Sequence, residues 1–264
     1  NTQLRGSYGT GFRAPQAFDT DLHIAFAGGG ISRVQISDDL TKETSKSYNV
    51  SLNYDRPSEH WVAGFTVEGF YTQLNNAFTL VPIGEDAFGK LFEKRNDQGA
   101  NVQGSTIELR ANYDRKIQLE TGLTIQSSRF DNKVQYIDEV EGVRDFIKTP
   151  NVYGFANLSF NPNKRLSANI NYIYTGIMIV PHFAGAPNHL VDEIVTSSPF
   201  SEISTKIGYS LPISTETNIE IYGGVKNLLN NYQETFDIGK NRDSNFVFGP
   251  AQPRTLFVGL KWGI

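Results

Sequence analysis

The sequence predicts an all-β protein, the wall of a transmembrane antiparallel β-barrel. Three observations predict it. Apolar residues recur at every second position in ten segments, and helical periodicity is almost absent. The apolar positions named below for one phase of that alternation include no charge, while the opposite phase holds most of the acids and bases. The connections alternate between short turns and long loops, so every long loop falls at the same end of the wall, an asymmetry of outer-membrane barrels.

The segments are 3–9, 44–54, 61–74, 103–113, 117–127, 151–160, 165–178, 201–211, 218–229 and 254–264. The first sets Leu4, Gly6 and Tyr8 on the apolar phase. The second (Tyr48, Val50, Leu52, Tyr54) turns through "DRPSE" into the third (Trp61, Ala63, Phe65, Val67, Gly69, Tyr71). The fourth (Ile107, Leu109, Ala111, Tyr113) reaches the fifth (Ile117, Leu119, Thr121, Leu123, Ile125) through "DRK". "NPNK" joins the sixth (Val152, Gly154, Ala156, Leu158, Phe160) to the seventh (Leu166, Ala168, Ile170, Tyr172, Tyr174, Gly176, Met178). "PISTET" joins the eighth (Ile203, Thr205, Ile207, Tyr209, Leu211) to the ninth (Ile219, Ile221, Gly223, Val225). The tenth ends the chain with Leu256, Val258, Leu260, Trp262 and Ile264. Asp, Asn, Pro and Ser supply the chemistry of the short turns. The long connections are 14–43, 80–102, 128–150, 179–200 and 230–253. Most segments reach the ~9–11 residues that a tilted strand needs to cross a bilayer.

The competing reading is a soluble β-sandwich, which would bury the apolar phase in a core. A sandwich has no reason to sort its loops by length. It also has no reason to align Tyr54, Tyr113, Phe160, Tyr209 and Trp262 on the apolar phase at the short-turn end. Amphipathic rings at one level make an interfacial girdle, so the apolar phase faces outer-membrane lipid. The other phase carries Arg5, Glu68, Glu108, Arg110, Glu120, Glu202, Lys206, Glu220, Lys226 and Lys261 and faces a wet or plugged lumen.

Composition narrows the function. A net charge of −4 over 264 residues favours neither nucleic acid nor an anionic membrane surface as partner. The absence of cysteine excludes disulfides and thiolate metal sites. No nucleophile elbow, His-Glu-x-x-His or paired-carboxylate motif appears, which argues against an enzyme. "AGGG" at 27–30 lacks the Lys-Ser/Thr of a phosphate loop, and the acids at 19–21 and 38–39 lack EF-hand spacing. The long loops carry His23, His182 and His189, and imidazole ligates iron. They also carry Arg33, Lys90, Lys94, Arg95, Lys240 and Arg242, cations suited to an anionic ferric chelate, with "KLFEKR" at 90–95 read as a solvated loop face. The candidate ligand-binding residues are His23, Arg33, His182, His189 and Arg242.

Several stretches resemble a known family. "LRGSYGTGFRAP" is similar to a barrel segment of TonB-dependent outer-membrane receptors. "GGVKNLLNNYQETF" resembles their penultimate strand, and "AQPRTLFVGLKWGI" their final strand with its aromatic insertion signal. "YTGIMIVPHFAG" resembles a form common in receptors of Bacteroidota. The resemblance implies a 22-stranded barrel plugged by an N-terminal domain in the bacterial outer membrane. On that pattern residues 1–264 are the C-terminal ten strands, and the plug, TonB box and first twelve strands lie outside this chain. The implied function is TonB-driven import of a scarce nutrient, first a ferric siderophore, with cobalamin or haem as alternatives; a passive porin and an outer-membrane barrel enzyme are the contrasting readings. The implied partners are outer-membrane lipid, the TonB complex through the N-terminal part, and a metal-chelate or cobalamin-type ligand. No cofactor is implied. The family often carries inward glutamates that pair with plug arginines where this chain has Asn49 and Thr106. Glu68 and Glu108 are the nearby carboxylates that can substitute, and Glu68, Glu108, Arg110, Glu120 and Lys226 become the candidate plug-facing residues.

Overall fold

The computed structural model describes residues 1–15, 33–86, 89–137, 139–214, 217–243 and 246–263. In chain order the strands are β1 (Thr2–Arg13), β2 (Arg33–Ile36), β3 (Glu43–Pro57), β4 (Trp61–Asn75), β5 (Phe78–Asp86), β6 (Gly89–Asn96), β7 (Ala100–Tyr113) and β8 (Ile117–Val134). They continue with β9 (Val143–Asp145), β10 (Val152–Phe160), β11 (Leu166–Thr175), β12 (Ile179–His182), β13 (Glu193–Thr196), β14 (Phe200–Pro212), β15 (Asn218–Lys226) and β16 (Thr255–Gly263). Among the described residues there is no helix. Ten long strands form one antiparallel wall in the order β1-β3-β4-β7-β8-β10-β11-β14-β15-β16. The wall is not closed within this chain, because β1 and β16 each pair on one side.

The wall is held by ladder hydrogen bonds and cross-strand side-chain pairs rather than by a buried core. Its pairing register tests the two-face assignment independently of composition, since directly opposite residues share a face. Leu4 pairs Leu52, Leu52 pairs Val67, Val67 pairs Ile107, and Ile107 pairs Leu123. Further along, Leu158 lies between Leu119 and Ile170, and Ile221 lies between Tyr209 and Leu260. Apolar phase meets apolar phase at every seam. The apolar face is exposed from Leu4 to Leu260, as a lipid-facing surface must be. On β4 it runs from Trp61 to Tyr71, ten residues apart. At ~3.3 Å per residue and ~45° tilt that is about 23 Å, close to the ~25 Å apolar band of outer-membrane barrels. Tyr71 continues a row through Tyr48 to Tyr8, with ring centroids 6.3 and 5.0 Å apart.

The polar face has its own packing rule. Phe70 lies over Gly104, Phe155 over Gly122, Phe257 over Gly224 and Tyr222 over Gly259, each ring directly opposite its glycine. A Cβ built on Gly104, Gly122 or Gly224 would stand 2.7–2.8 Å from the ring. These glycines make room for aromatic rings that would otherwise clash across the ladder.

Three expectations need correction. Segment 165–178 ends as a strand at Thr175, and segment 218–229 ends at Lys226. Asn227 and Asn230 adopt positive φ of 47° and 54°, a left-handed conformation that asparagine tolerates and that turns the chain. The third concerns "KLFEKR", because short strands form within the long connections. β2, β6 and β5 form a separate three-stranded sheet, β12 and β13 a two-stranded one, and β9 adds to β8. "KLFEKR" therefore lies in β6 rather than on a solvated loop face. Lys94 is 3% exposed, with its Nζ 4.9 Å above the Phe78 ring, so it is packed rather than available to a chelate.

Candidate functional site

The long-loop end holds a polar cluster built from several connections. It starts from the β12–β13 hairpin, where register sets His182 opposite Glu193. Within the hairpin tip, His189 N–H donates to Ala186 O (3.0 Å), and Gly185 N–H donates to His189 O (3.1 Å). That turn folds the His189 ring onto His182, with centroids 3.4 Å apart and planes 4° apart. Phe246 covers another face at 3.5 Å and 4°, so His182 sits in a stack of parallel rings. Met178, Val180 and Phe246 form the small apolar core beneath, with Val195 and Phe248 against it.

Hydrogen bonds fix the cluster to the 227–254 loop. His182 Nε2 lies 3.0 Å from Asp237 Oδ1, and Asp237 Oδ2 accepts the Asp243 N–H at 3.0 Å. Burial alone would raise the Asp237 pKa. The Asp243 N–H and the His182 imidazole outweigh that and hold it below its ordinary value. Asp237 is therefore a carboxylate, which accepts only, and His182 Nε2 is the donor. Gln233 spans the same loop, donating to Phe246 O (3.0 Å) and accepting from the N–H groups of Phe248 (2.9 Å) and Gly249 (3.0 Å). Asn227 donates to Gln252 O (2.9 Å) and Asn231 O (3.2 Å), which clasps the two ends of the loop. A backbone bond from Lys148 N–H to Ile179 O (2.8 Å) ties a third long connection to the hairpin. One imidazole nitrogen from each of His182 and His189 and one Glu193 oxygen all lie within 4.8 Å of one another.

A second network lies at the short-turn end of the polar face. Arg110 donates to Asp55 Oδ1 through Nε (3.0 Å) and Nη2 (2.7 Å), to Thr66 Oγ1 (2.9 Å), and to Asn53 Oδ1. Four side chains from β3, β4 and β7 thus lock one corner of the wall. Further along, Lys206 pairs with Glu220 at 3.5 Å and lies 4.4 Å above the Tyr222 ring.

Of the candidate ligand residues, His182 and His189 come together in the hairpin cluster. Arg242 lies in the loop that packs on them, exposed, and donates to Gly239 O at 3.1 Å rather than joining the ring stack. Arg33 begins β2. His23 lies outside the described residues. Glu68, Glu108, Arg110, Glu120 and Lys226 share the polar face: Arg110 stands opposite Glu120, Glu108 opposite Thr66, Glu68 opposite Ser51 and Thr106, and Lys226 opposite Thr255. Sequence reasoning missed Glu193, Asp237 and Phe246 at the outer cluster, and Asp55 and Asn53 at the inner corner. The spacing of His182, His189 and Glu193 was the one available signal, because a short hairpin folds such residues together. Asp55 was hidden by its membership of a turn motif.

Residues 1–228 match the sequence family described as TonB dependent receptor-like, beta-barrel. The chain belongs to the TonB-dependent receptor β-barrel family. Its apolar face is accordingly the lipid-facing face of an outer-membrane barrel, and the polar face lines the interior. No curated protein sequence matches it. Among solved structures it is similar to the ferric-catecholate import receptor Fiu from E. coli K12, with TM-score 0.63 and 17% identity over 98% of this chain and 32% of that one. The ferripyoverdine receptor of the Pseudomonas aeruginosa outer membrane gives TM-score 0.65 and 12% identity, over 100% of this chain and 31% of that one. The siderophore receptor PirA from Acinetobacter baumannii gives 0.62 and 16%, over 100% and 39%. At these identities the likeness is one of fold, and the chain spans about a third of the length of these receptors.

Proposed function

We propose that the complete receptor imports a ferric siderophore across the outer membrane, driven by TonB, and that this chain supplies the last ten strands of its 22-stranded barrel. The family match over residues 1–228 carries the reading, and the similar walls of a ferric-catecholate receptor and a ferripyoverdine receptor support its ligand class. The ordered hairpin and its loop form part of the outer capture surface. The inward Glu68, Glu108, Arg110, Glu120 and Lys226 contact a plug domain contributed by the rest of the protein. No covalent step is needed: the loops bind the chelate, and force transmitted through the plug releases it inward. The receptor is a transporter and not an enzyme.

The test is uptake of iron-loaded siderophores by iron-starved cells carrying the complete receptor. Uptake should disappear when either the receptor or TonB is deleted. Transport that continues without TonB, or a constitutively open conductance in planar bilayers, would show a passive porin instead.

A further inference from the structure

The geometry points to a divalent transition-metal site of the zinc class at His182, His189 and Glu193, on the outer hairpin. The first argument is topological. The β12–β13 register places His182 opposite Glu193, and the closed tip returns His189 above them. Three ligand atoms of the kinds that zinc prefers thus converge to within 4.8 Å.

The second argument concerns tautomers. Asp237 accepts from His182 Nε2 at 3.0 Å, and His182 O is positioned to accept from His189 Nε2 at 3.4 Å. A carboxylate and a carbonyl can only accept, so both Nε2 atoms carry the proton in the neutral rings. Each Nδ1 then keeps its lone pair. Neither Nδ1 has a hydrogen-bond partner among the described residues, and His189 Nδ1 lies 3.9 Å from Glu193 Oε1. A histidine whose second nitrogen donates to a carboxylate or carbonyl is the arrangement that orients metal-bound imidazoles. Two histidines here have it.

The third argument is mechanical. Zn–N and Zn–O bonds of ~2.0–2.2 Å place tetrahedral ligand atoms about 3.3 Å apart. Closing to that distance requires His189 to splay from the stack, because the lone pair lies in the ring plane. His182 is held by Asp237 and by the Phe246 ring, while His189 sits on the hairpin tip and the Glu193 side chain is 53% exposed. One fixed ligand and two movable ones suit capture of an ion from outside. Two nitrogens and one oxygen leave a fourth position open for water or for a donor atom of an incoming ligand. This site stands whatever chelate the receptor imports.

The experiment uses the complete receptor purified in detergent and zinc ion alone as the probe. Equilibrium dialysis should show one zinc bound per chain, and cobalt substitution should give the visible absorption of a tetrahedral site. His189→Ala should abolish both signals, and Glu193→Gln should weaken binding at least tenfold. Asp237→Asn, which acts through His182, should weaken it by about 10- to 100-fold. Lys164→Ala, in an exposed short turn at the other end of the wall, should leave it unchanged. The heat-modifiable gel shift reports folding, and if His189→Ala fails that check the exposed Glu193→Gln decides. A wild-type receptor that takes up no zinc, or variants that bind it equally well, would overturn the site. Siderophore uptake measured on the same variants separates this outcome from the import reading.

Discussion

Val258→Arg is the sharpest perturbation of the lipid-facing assignment. Val258 is 81% exposed and pairs with Gly223 on β15, so it buries almost nothing within this chain. It lies five residues before Gly263, the inner end of β16. At ~3.3 Å per residue and ~45° tilt that is about 12 Å into the wall, near the middle of a ~25 Å apolar band. An arginine at that depth costs about 2–4 kcal/mol. At 1.4 kcal/mol per tenfold, the folded-to-unfolded ratio falls by roughly 30- to 700-fold. Phe257→Arg is the control one residue away. Phe257 lies over Gly224 on the polar face, 6.4 Å from Tyr222, so the change forfeits an aromatic contact of about 0.5–1.5 kcal/mol and leaves the cation in a wet interior. The assay is urea unfolding of the complete receptor in lipid vesicles, read by the heat-modifiable gel shift. Val258→Arg should unfold at clearly lower urea than Phe257→Arg. Equal midpoints, or the reverse order, would refute the assignment of faces on this strand.

Two further predictions follow from the polar networks. Arg110→Ala removes all four contacts to Asp55, Thr66 and Asn53, but Arg110 and Asp55 are each 35% exposed, so solvent screening keeps the loss small. The urea midpoint should fall without a change in slope, and Arg110→Lys should not restore it, because an ammonium cannot reproduce the fork of bonds; an unchanged midpoint would show that the corner contributes nothing. Asp237 has a folded-state pKa below its ordinary 3.8, so its contribution is fully present above 3.8 and is lost as pH falls through the lower folded value. Pepsin nicking within 227–254 should therefore rise only below about 3.8 in the wild type, whereas Asp237→Asn should be nicked throughout and lack that step; a wild-type step shared by the variant would assign it to another group.

The ten wall strands were legible because membrane burial imposes one rule at every position. Each residue faces either lipid or the interior, and the price of error is several kcal/mol at mid-depth. Alternation therefore survives from Leu4 to Trp262, and the seams from β1 to β16 match phase to phase. Strand ends were less legible. Asn227 ends β15 by entering the left-handed region, yet Leu228 and Leu229 continue the apolar content and extend the apparent segment. The aromatic–glycine pairs on the inner face were hidden for a related reason. Phe70 and Gly104 are apolar and small residues on a nominally polar phase, and only the register shows that one makes room for the other.

The outer cluster obeys no such rule, and its chemistry was only partly readable. His182 and His189 stood out by residue type, but Asp237 lies 55 residues from His182 and reaches it through a loop with no periodic pattern. The length of that loop does not make it shapeless. Gln233 satisfies four backbone partners by itself, and Asn227 ties the loop's start to its end. Side-chain amides here take the place that ladder bonds hold in the wall: they satisfy backbone groups that would otherwise be buried unpaired. An amide can do this from any position within reach, so the loop's sequence need not repeat. The same freedom lets an outer surface vary its ligand chemistry while the wall beneath keeps one alternating pattern.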